Sequence, residues 1–148
     1  MVNKILTVLI LFCAGCVSAN IPNYLKEEHP YKKKIYADYQ KTVAATQEAL
    51  KELGWTIAET TQPGVYEQEP SANSQYQATL LFTNIRQTAL FLGTRYAKMN
   101  IYVRELSDGT ELEIRYLTVT STPLRSFESY RNDSAVQKFF ERIDQQLN

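Results

Sequence analysis

Cysteine is scarce: the chain of 148 residues has two, Cys13 and Cys16, both near its start. They spell C-x-x-C, but a redox pair needs a folded, electropositive surround, and here both sulfurs lie in or beside a segment due for removal. Histidine occurs once, as His29 before Pro30. A hydrolase triad therefore has no base on a packed element, and no catalytic residue is expected. With so few His and Cys there is no ligand set at zinc spacing, so neither a metal nor a cofactor is expected. Glycine occurs five times, without G-x-x-x-x-G-K or G-x-G-x-x-G, which excludes the usual phosphate cradles. Net charge is also lacking, since 16 Lys and Arg stand against 16 Asp and Glu. Nucleic acid is not an expected partner.

What is present is a chain 44% hydrophobic and 11% aromatic, enough apolar material for one packed domain. It begins MVNKILTVLILFCAGCVSA. Lys4 and the apolar run Ile5 to Phe12 are far too short for the roughly 20 residues of a spanning helix, and read as a signal peptide. Small residues follow. Cleavage after Ala19, at Val17-Ser18-Ala19, would remove both cysteines; cleavage after Gly15 would leave Cys16 first. With cleavage after Gly15, the expected division is a signal peptide over 1–15, a tether over 16–34 and one domain over 35–148. The tether holds two prolines, no sustained apolar period and the basic triplet Lys32, Lys33 and Lys34, read as solvated rather than bound to lipid headgroups.

Within the domain, Tyr36, Tyr39, Val43, Thr46, Leu50 and Leu53 recur at helical spacing, and Gly54 follows as a C-cap. Trp55 to Thr60 alternates as a strand, with Val65 to Glu69 able to pair back after the turn Gln62-Pro63-Gly64. Gln77 to Thr83 is the next strand. Tyr96 to Arg104 and Glu111 to Thr120 are joined by the tight turn Ser107-Asp108-Gly109, each apolar on one face. Val136, Phe139, Phe140, Ile143 and Leu147 form the stripe of a last helix capped by Ser134 or Asp133. The expected fold is α+β: a two-layer sandwich of about five antiparallel strands against an N-terminal and a C-terminal helix.

Cys13-Ala14-Gly15-Cys16 resembles the lipobox of bacterial lipoproteins, with Cys13 where that pattern usually carries Leu. The resemblance implies that Cys16 is acylated and becomes the mature N-terminus, anchored to a membrane. Val17 stands where Asp commonly signals inner-membrane retention, which implies the outer membrane, facing the periplasm. With LKELGW early and YRND…FFERIDQQL late, the chain is similar to small bacterial lipoproteins of unknown function whose domain resembles the helix-grip modules of BamC. Such modules are not known as enzymes.

The remaining polar residues suit structure. Glu111 and Glu113 share a strand face with Arg115, and a cross-strand charge ladder explains all three. Most of the ten tyrosines suit half-buried packing. The segment 84–93 fits worst, being too long for a hairpin and carrying Leu90, Phe91 and Leu92 before Gly93. It either continues a strand into the core or displays these side chains at one end of the sheet, as a binding site. Two functions follow: a non-catalytic interaction or structural module with an envelope protein partner, or a carrier of a small apolar ligand between sheet and helix.

Overall fold

The computed structural model describes residues 19–26, 28–67 and 76–148. Cys13, Cys16 and the expected signal peptide lie outside them. In chain order the elements are β1 (Tyr31–Ile35), α1 (Tyr39–Glu52), β2 (Ile57–Thr61), β3 (Ala78–Thr83), β4 (Arg86–Leu90), β5 (Gly93–Leu106), β6 (Gly109–Ser121), β7 (Ser126–Ser129) and α2 (Asp133–Leu147). The fold is α+β, with seven strands in one antiparallel sheet and two helices. The sheet runs β1-β6-β5-β3-β2, with β4 beside β5 and β7 beside β6.

Both helices start on side-chain caps. The Asp38 carboxylate accepts from the Gln40 and Lys41 N–H groups, so α1 begins at Tyr39 and leaves Tyr36 outside, 83% exposed. The cap of α2 is Asn132, not Ser134 or Asp133. Its Oδ1 accepts from Ala135 N–H at 3.1 Å, while its backbone N–H and side-chain amide donate to the Tyr31 and Tyr116 hydroxyls. Those ties to the sheet select it. Leu50 and Ala49 of α1 and Phe139 and Ile143 of α2 pack on Leu81, Met99, Ile101, Val103, Leu112 and Ile114, each at most 1% exposed. Trp55 meets Tyr116 edge to face at 6.3 Å.

Three expectations need correction. Residues 31–34, assigned to the tether, form strand β1 together with Ile35, in register with β6, Tyr31 opposite Ile114 and Ile35 opposite Thr110. The lysine triplet is part of it: Lys32 pairs with Glu113, Lys33 with Asp144 and Lys34 with Asp108. Val65 does not begin a returning strand, because Pro63–Val65 turn as a single 3-10 helix. The sheet is also not wet on its second face. Leu80, Phe82, Tyr102, Leu117 and Val119 on that side are at most 2% exposed, covered by residues 19–25 and by Tyr66.

Candidate interaction surface

The covering segment, a strap over the sheet, is fixed by buried polar groups of β5 and β6. The Leu25 N–H donates to Asn100 Oδ1 at 2.6 Å, the Asn100 amide donates to the Asn23 carbonyl, and Lys98 Nζ donates to Asn23 Oδ1 at 2.6 Å. Arg115, its side chain 5% exposed, binds Glu113 through Nε at 2.6 Å and Glu67 through a terminal nitrogen at 2.6 Å. It also donates to the Tyr24 hydroxyl at 2.7 Å and the Leu25 carbonyl at 3.2 Å. The Tyr24 ring stacks on Tyr66, which leans on Phe82.

Burial alone would make this guanidinium a weaker base. The hydrogen bond and charge of Glu113, then Glu67 and Tyr24, outweigh it and hold the pKa above the usual arginine value. Burial, then the hydrogen bond to Glu67, pushes the Tyr24 phenol up, and burial pushes Lys98 down. These bonds tie strap to sheet. Charge pairs do cross strands from Glu113 to Lys32 and from Glu111 to Arg104, but Arg115 is not a rung of that ladder: it faces Asn100 and joins Glu113 along β6, buried.

The strap has a direction. Leu25 lies by Asn100 and Arg115, Asn23 by Lys98, and Ala19 and Ile21 pack on the cluster of Leu25, Leu117 and Val119 together with Tyr96. In β5 and β6, Lys98 faces Leu117, Tyr96 faces Val119 and Thr94 faces Ser121. Going back from residue 25 to 19, the chain therefore approaches the end of the sheet where β5 starts and β6 stops.

That end holds the segment singled out in the sequence. β4 does continue β3 alongside β5, but with a bulge: Phe82 faces Asn100 and Arg86 faces Ala97, four steps against three. The continuation leaves the core, and all five β4 residues are exposed. Leu90 pairs with Gly93, which leaves Phe91 and Leu92 as the two corners of a hairpin turn, 98% and 67% exposed.

A matching turn stands at the other end of the same strand. Leu106 pairs with Gly109, with Ser107 and Asp108 at the corners. Both turns close on a glycine at similar positive φ, 139° for Gly93 and 143° for Gly109. A Cβ at Gly93 would strike the Ser121 carbonyl, and one at Gly109 the Ile35 carbonyl. The backbone requirement is the same, while the corner residues are Ser-Asp at one end and Phe-Leu at the other. Turn chemistry favours the former. The fold does not demand Phe91 and Leu92.

Next to this apolar turn lies the β6–β7 connection, which the sequence reading passed over. Leu124 is 92% exposed there, and Phe127, opposite Thr120, carries the Arg125 guanidinium 4.3 Å over its ring. Nine large apolar side chains are exposed among the described residues, and five of them (Leu90, Phe91, Leu92, Leu124 and Phe127) belong to these neighbouring hairpins. The second turn had a signal in the sequence: Pro123-Leu124-Arg125 also puts an apolar residue where a polar one would serve.

No protein-family model matches the chain, and no curated protein matches it.

Elsewhere, a groove of about 410 Å³ runs between Tyr31 and the start of α2, lined by Asp133, Val136, Gln137 and Phe140. It is open to solvent, and the space between sheet and helices is filled by the side chains of the core. No three His, Cys, Asp or Glu residues gather as metal ligands among the described residues. No helix among them is long and apolar enough to cross a membrane.

Proposed function

We propose that this protein is a lipid-anchored binding module of a bacterial cell envelope, non-catalytic and facing the periplasm, tethered through an acylated Cys16. The lipobox-like Cys13-Ala14-Gly15-Cys16 and the likeness to BamC-type lipoproteins supply the address. One observation carries the binding role: two turns of like backbone close the ends of β5, and one of them bears Phe91 and Leu92 where Ser107 and Asp108 suffice in the other. Exposed clusters of this kind recur as contact sites. The carrier reading is weaker, because the sheet–helix interior is occupied by side chains and the groove beside Tyr31 lies outside it.

The address is tested by mass spectrometry of the mature protein. The expected N-terminus is Cys16 bearing acyl chains, and Cys16→Ser should leave the chain unprocessed or release it from membranes. Acyl chains contribute about 0.8 kcal/mol per buried methylene, so two or three of them give lasting attachment. A mature chain starting at an unmodified Asn20 overturns the reading.

A further inference from the structure

The apolar turns and the start of the strap lie at the same end of the sheet, and that coincidence identifies what the turns meet. We infer that this end is the membrane-facing end of the domain. In this reading Phe91, Leu92 and Leu124 dip into the leaflet that holds the protein's own anchor. The inference rests on the lipid-anchored reading given above and names the surface that the binding module engages.

Four observations support a bilayer as the occupant. The first is reach. Ala19 packs with Tyr96 on the Leu117–Val119 cluster. From Tyr96 to the corner at Leu92 is four residues of β strand, about 13 Å. From Ala19 back to Cys16 is three residues, at most about 11 Å of chain. An acyl group on Cys16 can therefore enter a leaflet at nearly the level of the turns.

The second is shape. The two turns belong to adjacent hairpins of one sheet, β4–β5 and β6–β7. At one strand spacing per step their centres are about 10 Å apart. They present two blunt apolar points and no concave site between helices, which suits a fluid acyl layer better than a folded partner.

The third is charge. The two hairpins and the strand ends between them, residues 84–96 and 117–129, contain Arg86, Arg95 and Arg125 against a single acid, Glu128, which faces Val119 two residues in from the end of β6, in a chain with equal numbers of acids and bases. Cationic side chains around apolar tips match an anionic headgroup layer. The opposite end of β5 and β6 has the reverse character. Glu105, Asp108 and Glu111 lie there with Asp38, four acids against Lys34 and Arg104, which pair with Asp108 and Glu111.

The fourth is rigidity. Asn23 to Leu25 are bonded to Lys98, Asn100 and Arg115 and Ala19 packs on the Leu117–Val119 cluster, so the chain from 25 back to 19 is held along the sheet rather than hinged to it. A protein anchored there is held end-on.

The test uses the full chain, produced in a Gram-negative host, purified in detergent and reconstituted into phosphatidylethanolamine–phosphatidylglycerol vesicles. Leu92→Cys and, separately, Ser107→Cys carry an environment-sensitive nitrobenzoxadiazole label, and lipids with a doxyl group on the acyl chain act as quencher. Both sites are exposed corners, so neither change disturbs packing. The expected result is a blue-shifted label at position 92, quenched severalfold more than the label at 107. Equal, weak quenching at the two sites in an acylated, vesicle-bound protein overturns the inference: the turns then stand in water, open to a protein partner, and the lipid-anchored reading survives. Mass spectrometry of the same samples reports on that reading separately. If Cys16 proves unacylated, the anchored reading falls, and the inference stands or falls on whether the label at 92 is still selectively quenched when vesicles are added.

Discussion

Arg115 is where the strap and sheet share a charge. Its side chain is 5% exposed and sits between the carboxylates of Glu113 and Glu67. Removing Arg115 leaves the buried Glu113 with Lys32 as its remaining ion-pair partner and takes the cation from the part-buried Glu67, a loss toward the lower end of the about 3–5 kcal/mol that breaking a buried pair typically costs. Arg115→Ala should lower the urea midpoint accordingly and raise amide exchange at Leu25, whose N–H bonds to Asn100 in the adjacent β5. An unchanged midpoint would show that the strap is held by its apolar contacts alone. The partner Glu113 was legible from strand alternation, since both side chains fall on one face. The burial was not, because the covering residues Asn23, Tyr24 and Leu25 have no period of their own. Their conformation is dictated by Asn100, Arg115 and Tyr66, far away in sequence.

At the scale of elements, the long strands and both helices were legible because they carry clear periods. β1 was hidden by composition. Tyr31, Lys33 and Ile35 alternate toward the helices with Lys32 and Lys34 outward, but three consecutive lysines obscure a period of two. Lys33 occupies its half-buried place with its ammonium 5.4 Å from the centre of the Phe140 ring and paired with Asp144. The β4–β5 hairpin shows the converse. Leu90, Phe91 and Leu92 look like core and are exposed, because β4 leaves the end of α1 behind after Arg86, which still donates to the Leu53 carbonyl, and runs on into solvent. Leu90→Ser combined with Phe91→Ser should therefore change stability by no more than about 1 kcal/mol, with little movement of the thermal midpoint. The native circular dichroism spectrum should be kept. Cooperative unfolding at a much lower temperature would place these side chains in the core.

For the whole molecule, the phenols set the alkaline limit. Burial, then hydrogen bonds to Glu67 and Asp133, raises Tyr24 and Tyr31 above the ordinary tyrosine value of 10.0. The folded state thus keeps these protons to higher pH than the unfolded chain. The stability they contribute is present below about pH 10 and is lost as pH rises through the folded values. Lys98 acts in the opposite sense, since burial lowers it and the unfolded chain then binds more protons below the ordinary lysine value of 10.5. Tyr130, raised chiefly by burial, and Lys34, raised by its hydrogen bond to Asp108, act with the two tyrosines against Lys98, which predicts a net fall above pH 10, measurable as the denaturant midpoint, and a shallower fall for Tyr24→Phe. An identical slope in that variant would uncouple the strap from the titration. The order of the chain has a mechanical consequence as well. The strap runs away from the apolar end, and β1 continues that way, antiparallel to β6, over five facing pairs. Interstrand hydrogen bonds lie across the strands, so tension on residue 19 toward the apolar end drags β1 along its own axis and loads those bonds together. The domain resists such a pull in shear, with the Arg115 ion pairs as a lock, and nothing along that line can be peeled one bond at a time.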